Sequence, residues 1–120
     1  MITSTHALIY AEDADAARAF FRDVLDRPMV DAGGGWLIFA LPPAEVGFHP
    51  TGGDETPSGT HRLSFMCDDI EATMAELRAK GVGFTSEVQD MGYGLVTTFE
   101  VPAAGPMHLY QPRYQPPFAR

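Results

Sequence analysis

The chain has 120 residues, 45% of them hydrophobic, which is enough for one core and too little for two full-size domains. Its 16 acidic residues against 8 basic ones leave a formal charge of -8, which repels nucleic-acid phosphates and anionic membrane surfaces and argues against both as partners. No apolar run reaches bilayer length and no basic stretch leads into an apolar one at the N-terminus, so a soluble, cytoplasmic protein is expected.

Residues 5–11, THALIYA, combine β-branched, aromatic and small apolar types and read as a strand. Glu12 and Asp13 then offer an N-cap for a helix over residues 14–25, in which Ala17, Phe20, Phe21 and Val24 form one apolar stripe before Pro28 ends it. Residues 29–31, 36–41 and 45–49 read as three strands, separated by Gly33-Gly34-Gly35 and Pro42-Pro43. A linker rich in proline and glycine follows over residues 51–60. Residues 62–67 restart the pattern as a strand. A helix follows from about Asp69, with Ile70, Met74 and Leu77 on one face and Gly81 as the stop. Strands over residues 82–88, 95–101 and 107–110 complete it.

The lone Cys67 allows no disulfide within the chain, and its neighbours Phe65 and Met66 suggest a small buried hydrophobe rather than a nucleophile.

The order is therefore βαβββ written twice, and THALIYAED at 5–13 echoes THRLSFMCDD at 60–69. We expect one α+β domain over residues 1–120: module one 1–50, linker 51–60, module two 61–112 and a tail 113–120. Each module is too small to bury a core alone, so the two should pair their mixed sheets around a central cleft. The tail is read either as a crossing to a partner or as unattached.

The double βαβββ order, the helix end FFRDVLDRP, the helix CDDIEATMAELRAKGV and the terminal HLYQP resemble the vicinal oxygen chelate superfamily. That family comprises glyoxalases, bleomycin-resistance proteins and extradiol dioxygenases. The resemblance covers nearly the whole chain and implies the fold more strongly than any one activity. It implies a small-molecule ligand or substrate and a homodimer. In the metal-dependent members it also implies a divalent ion held by the first and last strands of each module. Nickel, zinc, iron and manganese are the candidates here.

The tempting donor set is His6, His61 and His108. The Thr-His pairs match at an offset of 55, but the helices match at 56, with Asp13 on Asp69, Asp15 on Glu71 and Phe21 on Leu77. Because a one-residue shift turns every strand side chain over, the helix register sets Arg62, not His61, beside His6. It leaves Leu63, Phe65 and Cys67 as an apolar set under the helix and His61 at the solvated outer edge.

The first-module counterpart of His108 is Gly47 or a neighbour, and glycine cannot ligate; Glu45 and His49 flank it on the same strand face. Two readings remain. One is a ligand-binding protein, or an enzyme without the usual metal, with a cleft lined by His6, Tyr10, Arg62, Ser64, Tyr93 and His108. The other is a metal-dependent isomerase or dioxygenase using His6 and His108. The first is favoured because the carboxylate ligands are missing. Arg62 reads equally as an anion-binding group or as half of an ion pair with Glu45 or Glu100, and Trp36 and Tyr93 as ligand-stacking rings or ordinary rim aromatics.

Overall fold

Asp13 begins the first helix because its carboxylate accepts the Ala16 N–H at 3.1 Å, satisfying one of the donors that a helix start leaves free. This computed structural model describes residues 6–45, 47–48 and 56–117. The helix, α1 (Ala14–Asp23), buries Phe20 and Phe21. Phe21 meets Phe39 at a centroid distance of 5.5 Å. Two short antiparallel strands follow, β1 (Met29–Asp31) and β2 (Leu37–Phe39), with Val30 opposite Ile38. Their connection needs backbone that only glycine adopts cheaply: Gly33, Gly34 and Gly35 all have positive φ, and Asp31 Oδ1 accepts the Gly33 N–H at 2.8 Å.

The second sheet has the order β3-β6-β5-β4, made of β3 (Ser64–Met66), β4 (Gln89–Asp90), β5 (Gly94–Val101) and β6 (Gly105–Pro112). β3 runs parallel to β6, and β4 is antiparallel to β5. Between β3 and β4 lies α2 (Ile70–Ala79). It is capped by Asp69, whose side chain accepts the Ala72 N–H at 3.0 Å, and by Gln111 Oε1, which accepts the Ile70 N–H at 2.8 Å. Gly81, at φ 89°, lets the chain leave the helix as expected.

By their internal contacts the residues divide into two compact units, Met1–Ala40 with Glu100–Pro106, and Leu41–Phe99 with Met107–Arg120. The first buries Phe20, Phe21 and Val101; the second buries Ile70, Met74, Val82, Thr97, Phe99, Met107 and Leu109. The fold class is α+β, with two sheets and two helices among the described residues.

The second module keeps its expected order β3-α2-β4-β5-β6, but the strand expected over residues 82–88 is displaced. Only Phe84 bridges to Phe99, and β4 begins at Gln89. Side chains interrupt the ladder there. Ser86 Oγ accepts the Thr98 N–H at 3.1 Å and the Thr97 hydroxyl donates to Ser86 O at 2.9 Å, taking over bonds that a continuous strand would make through its backbone.

The first module departs further. Residues 6–11 form no strand, and Leu8, Ile9 and Tyr10 are exposed, because strand-type residues need a paired neighbour before they become a strand. The backbone tie next to this run is Glu12 N–H to Ala103 O at 2.9 Å. Of the strand expected over 45–49, Glu45, Gly47 and Phe48 are in no strand, and Val46 and His49 lie outside the described residues. The tail is not unattached at its start. The Arg113 N–H donates to Tyr93 O at 2.9 Å and the Tyr114 hydroxyl to Glu45 Oε2, because both residues directly continue β6 past the β4–β5 turn.

Candidate functional site

The parallel pairing of β3 with β6 sets the site's geometry. Ser64 is opposite His108, Phe65 opposite Leu109 and Met66 opposite Tyr110. Partners in register on neighbouring strands, about 4.8 Å apart, project to the same side of a sheet. One side carries Phe65, Met107 and Leu109, continued on β5 by the buried Thr97 and Phe99. By alternation the other side carries Ser64, Met66, His108 and Tyr110, with Val96 and Thr98 of β5. Ser64 is exposed, and His108, Tyr110 and Met66 are half-buried. Neither the Ser64 hydroxyl nor the His108 imidazole has a hydrogen-bond partner among the described residues, so both are free to meet a ligand.

The register argument from the helices agrees with this sheet. Phe65 meets Phe99 at 6.1 Å and Cys67 sits beside β6, its N–H donating to Tyr110 O at 2.9 Å. Burial pushes the Cys67 thiol up, which makes the thiolate scarcer and fits a packing role. His61 is exposed. Arg62 is exposed as well and precedes β3; its guanidinium donates to Thr56 Oγ1 at 3.4 Å, and Glu45 is engaged by Tyr114 instead.

Tyr93 occupies the second position of the two-residue turn between Met91 and Gly94, which joins β4 to β5 and is closed by Met91 N–H to Gly94 O at 2.9 Å. Gly92 takes the first position with φ 84°, the sign that a II′-type turn requires. The Asp90 side chain accepts the Gly92 N–H at 2.9 Å and pairs with both terminal nitrogens of Arg113, at 2.5 and 2.8 Å. The Arg113 guanidinium holds the Asp90 carboxyl below the usual carboxylate range. This clamp presents Tyr93, 55% exposed, with its ring 5.8 Å from that of Tyr110.

Of the six residues expected to line one cleft, Arg62, Ser64, Tyr93 and His108 belong to the second unit, and Ser64 and His108 are brought side by side. His6 and Tyr10 belong to the first unit, in the exposed segment before α1. In that unit Trp36 has the Arg18 guanidinium 4.9 Å from its ring centroid. Tyr110 was not singled out, although its spacing of two from His108 in one strand was the signal that would have placed it on the same face. Nothing in the sequence signalled Tyr114.

A divalent ion needs several donors converging at about 2 Å. Among the described residues no group of three or more His, Cys, Asp and Glu side chains is placed to hold one. His49 lies outside the described residues. No helix of the described residues is long and apolar enough to cross a membrane.

An antibiotic-binding protein from Streptomyces sp. CB03234 is similar at 22% identity and a TM-score of 0.60, over 93% of this chain and 99% of that one. A superfamily member from Sphaerobacter thermophilus DSM 20745 gives 23% identity and a TM-score of 0.64, over 92% and 98%. A lactoylglutathione lyase from Agrobacterium tumefaciens gives 19% and 0.53, over 91% and 96%. At these identities the likeness is one of fold. A search of the curated proteins finds no match. The family model for the Glyoxalase/Bleomycin resistance protein/Dioxygenase superfamily matches residues 3–109, nearly the whole chain, and the chain belongs to that superfamily.

Proposed function

We propose that this chain binds a small organic molecule against the open side of its four-stranded sheet, without a bound metal. The observation that carries this reading is the in-register pair Ser64 and His108, two unsatisfied polar side chains on a half-open sheet face, with Tyr110 and the exposed Tyr93 beside them. Such a face offers apolar and aromatic area for contact and a few polar groups for orientation, the usual composition of a small-molecule site. A neighbour of the same fold, described as an antibiotic-binding protein, supports this reading.

Screening small aromatic ligands by thermal shift, followed by calorimetry on the best, tests this. His108→Ala is expected to weaken binding about tenfold, the loss of one hydrogen bond to a desolvated ligand. An unchanged affinity in His108→Ala would remove this face from the site.

The family's metal-dependent isomerases and dioxygenases are the second reading, favoured by family membership alone. Loading with nickel, zinc, iron and manganese in turn separates the two. We expect no stoichiometric metal after desalting; one retained equivalent, released by His6→Ala or His108→Ala, would establish the metal-dependent reading instead.

The assembly we propose is a cytoplasmic homodimer. Exposed Leu8, Ile9, Tyr10, Met29, Val30 and Trp36 in the first unit supply apolar surface for a second copy. Light scattering should give twice the chain mass of 13.1 kDa, and a monomer at tens of micromolar would refute it.

A further inference from the structure

Where the β4–β5 turn meets the end of β6, three tyrosines and a carboxylate of the second unit come together. The Tyr110 ring lies 5.8 Å from Tyr93 and 6.3 Å from Tyr114. Tyr93 and Tyr114 are 55% and 42% exposed, so ring surface remains open to a ligand. The Tyr114 hydroxyl donates to Glu45 Oε2, whereas Glu45 Oε1 is buried and has no hydrogen-bond partner among the described residues.

This cluster lacks one thing, a positive donor. A carboxylate oxygen taken out of water without a partner is unfavourable, and the faces of aromatic rings attract cations. Arg113, the nearest cation in sequence, is committed to Asp90 through both terminal nitrogens and does not serve the cluster. Desolvation first, and the hydrogen bond to Glu45 second, push the Tyr114 phenol above its ordinary range, so it stays a neutral donor.

From this geometry we propose that Tyr93, Tyr110, Tyr114 and Glu45 form a subsite for a protonated amine carried on an aromatic body. The ammonium bonds to Glu45, the ligand ring lies against the tyrosines, and Tyr114 yields its place on the carboxylate as the ligand enters. The formal charge of -8 adds a long-range attraction for such a cation. The proposal rests on reading the open sheet face as a ligand site, since Tyr110 lies on that face beside His108, and it adds the charge class of the ligand.

Calorimetry with naphthylmethylamine, the neutral naphthylmethanol and the anionic naphthoate tests it on the full chain. The amine should bind about tenfold tighter than the alcohol, as a hydrogen bond to a charged group adds, and naphthoate should bind least. Glu45→Gln should bring the amine down to the level of the alcohol. Tyr114→Phe, which keeps the ring and removes the competing donor, should tighten the amine severalfold. Equal binding of amine and alcohol, a preference that survives Glu45→Gln, or no binding of any probe would overturn the subsite. Probes that weaken in His108→Ala but ignore Glu45→Gln would overturn the subsite and leave the open-face reading standing. The reverse pattern would support the subsite and overturn the reading that places Ser64 and His108 in the ligand site.

Discussion

Phe99→Ala is expected to lower the stability of the protein by about 3–5 kcal/mol, the range for truncating a large buried aromatic. Phe99 is 1% exposed and lies between Phe65 and Phe84, each 6.1 Å away by ring centroid. Its backbone also makes the bridge that ties Phe84 to the sheet. Truncation therefore removes transfer energy, opens a cavity and deprives two neighbouring rings of their contact. Domains of this kind have a net stability of about 5–15 kcal/mol, so the variant should lose about a fifth of it or more. Urea unfolding with an unchanged m-value measures the loss. Phe48→Ala is the control: its side chain is 94% exposed, and its effect should stay within about 0.5 kcal/mol. A Phe99 variant as stable as that control would show that this core is not where the second unit gains its stability.

Gly94→Ala is expected to cost about 1–3 kcal/mol, and to do so by steric collision rather than by a change in backbone freedom. A Cβ at this position would run into Tyr110 Cε1, lie 2.6 Å from Gln111 O and stand 3.2 Å from Pro112 Cα. Backbone atoms of β6 cannot rotate away, so β5 and β6 must separate where Tyr93, Tyr110 and the Asp90–Arg113 clamp are held. Two measurements should respond together: the urea midpoint falls, and the near-ultraviolet dichroism of the tyrosines changes. Gly83→Ala, where a Cβ meets nothing within 4 Å, should leave the tyrosine signal alone. A Gly94→Ala protein with wild-type stability and spectrum would mean that the two strands do not approach this closely.

Both expectations depend on long-range neighbours, which is where sequence reasoning reached its limit. The helices were legible nearly to the residue, because caps such as Asp13 and Asp69 and stripes such as Phe20-Phe21 and Ile70-Met74 act within four residues along the chain. Met29–Asp31 was read to the residue, since Gly33-Gly34-Gly35 marks its turn. The run 82–88 misled because its strand-type residues do not reveal that the Ser86 and Thr97 side chains bond across to the facing segment. Residues 6–11 misled because a strand is a pair property.

For the candidate site, the helix register set Ser64 and Phe65 on opposite sides of β3, and the structure pairs Ser64 with His108 in register. The α+β class and the superfamily were thus legible in the sequence alone, since periodicity, capping and turn chemistry are local. Only the tertiary structure decided which side chains meet. It joined Tyr114 to Glu45 across 69 positions and Arg113 to Asp90 across 23. It also set Ser64 against His108. Such pairs follow from strand order and register, and those are chosen by the packing of the whole unit rather than by any short stretch of chain.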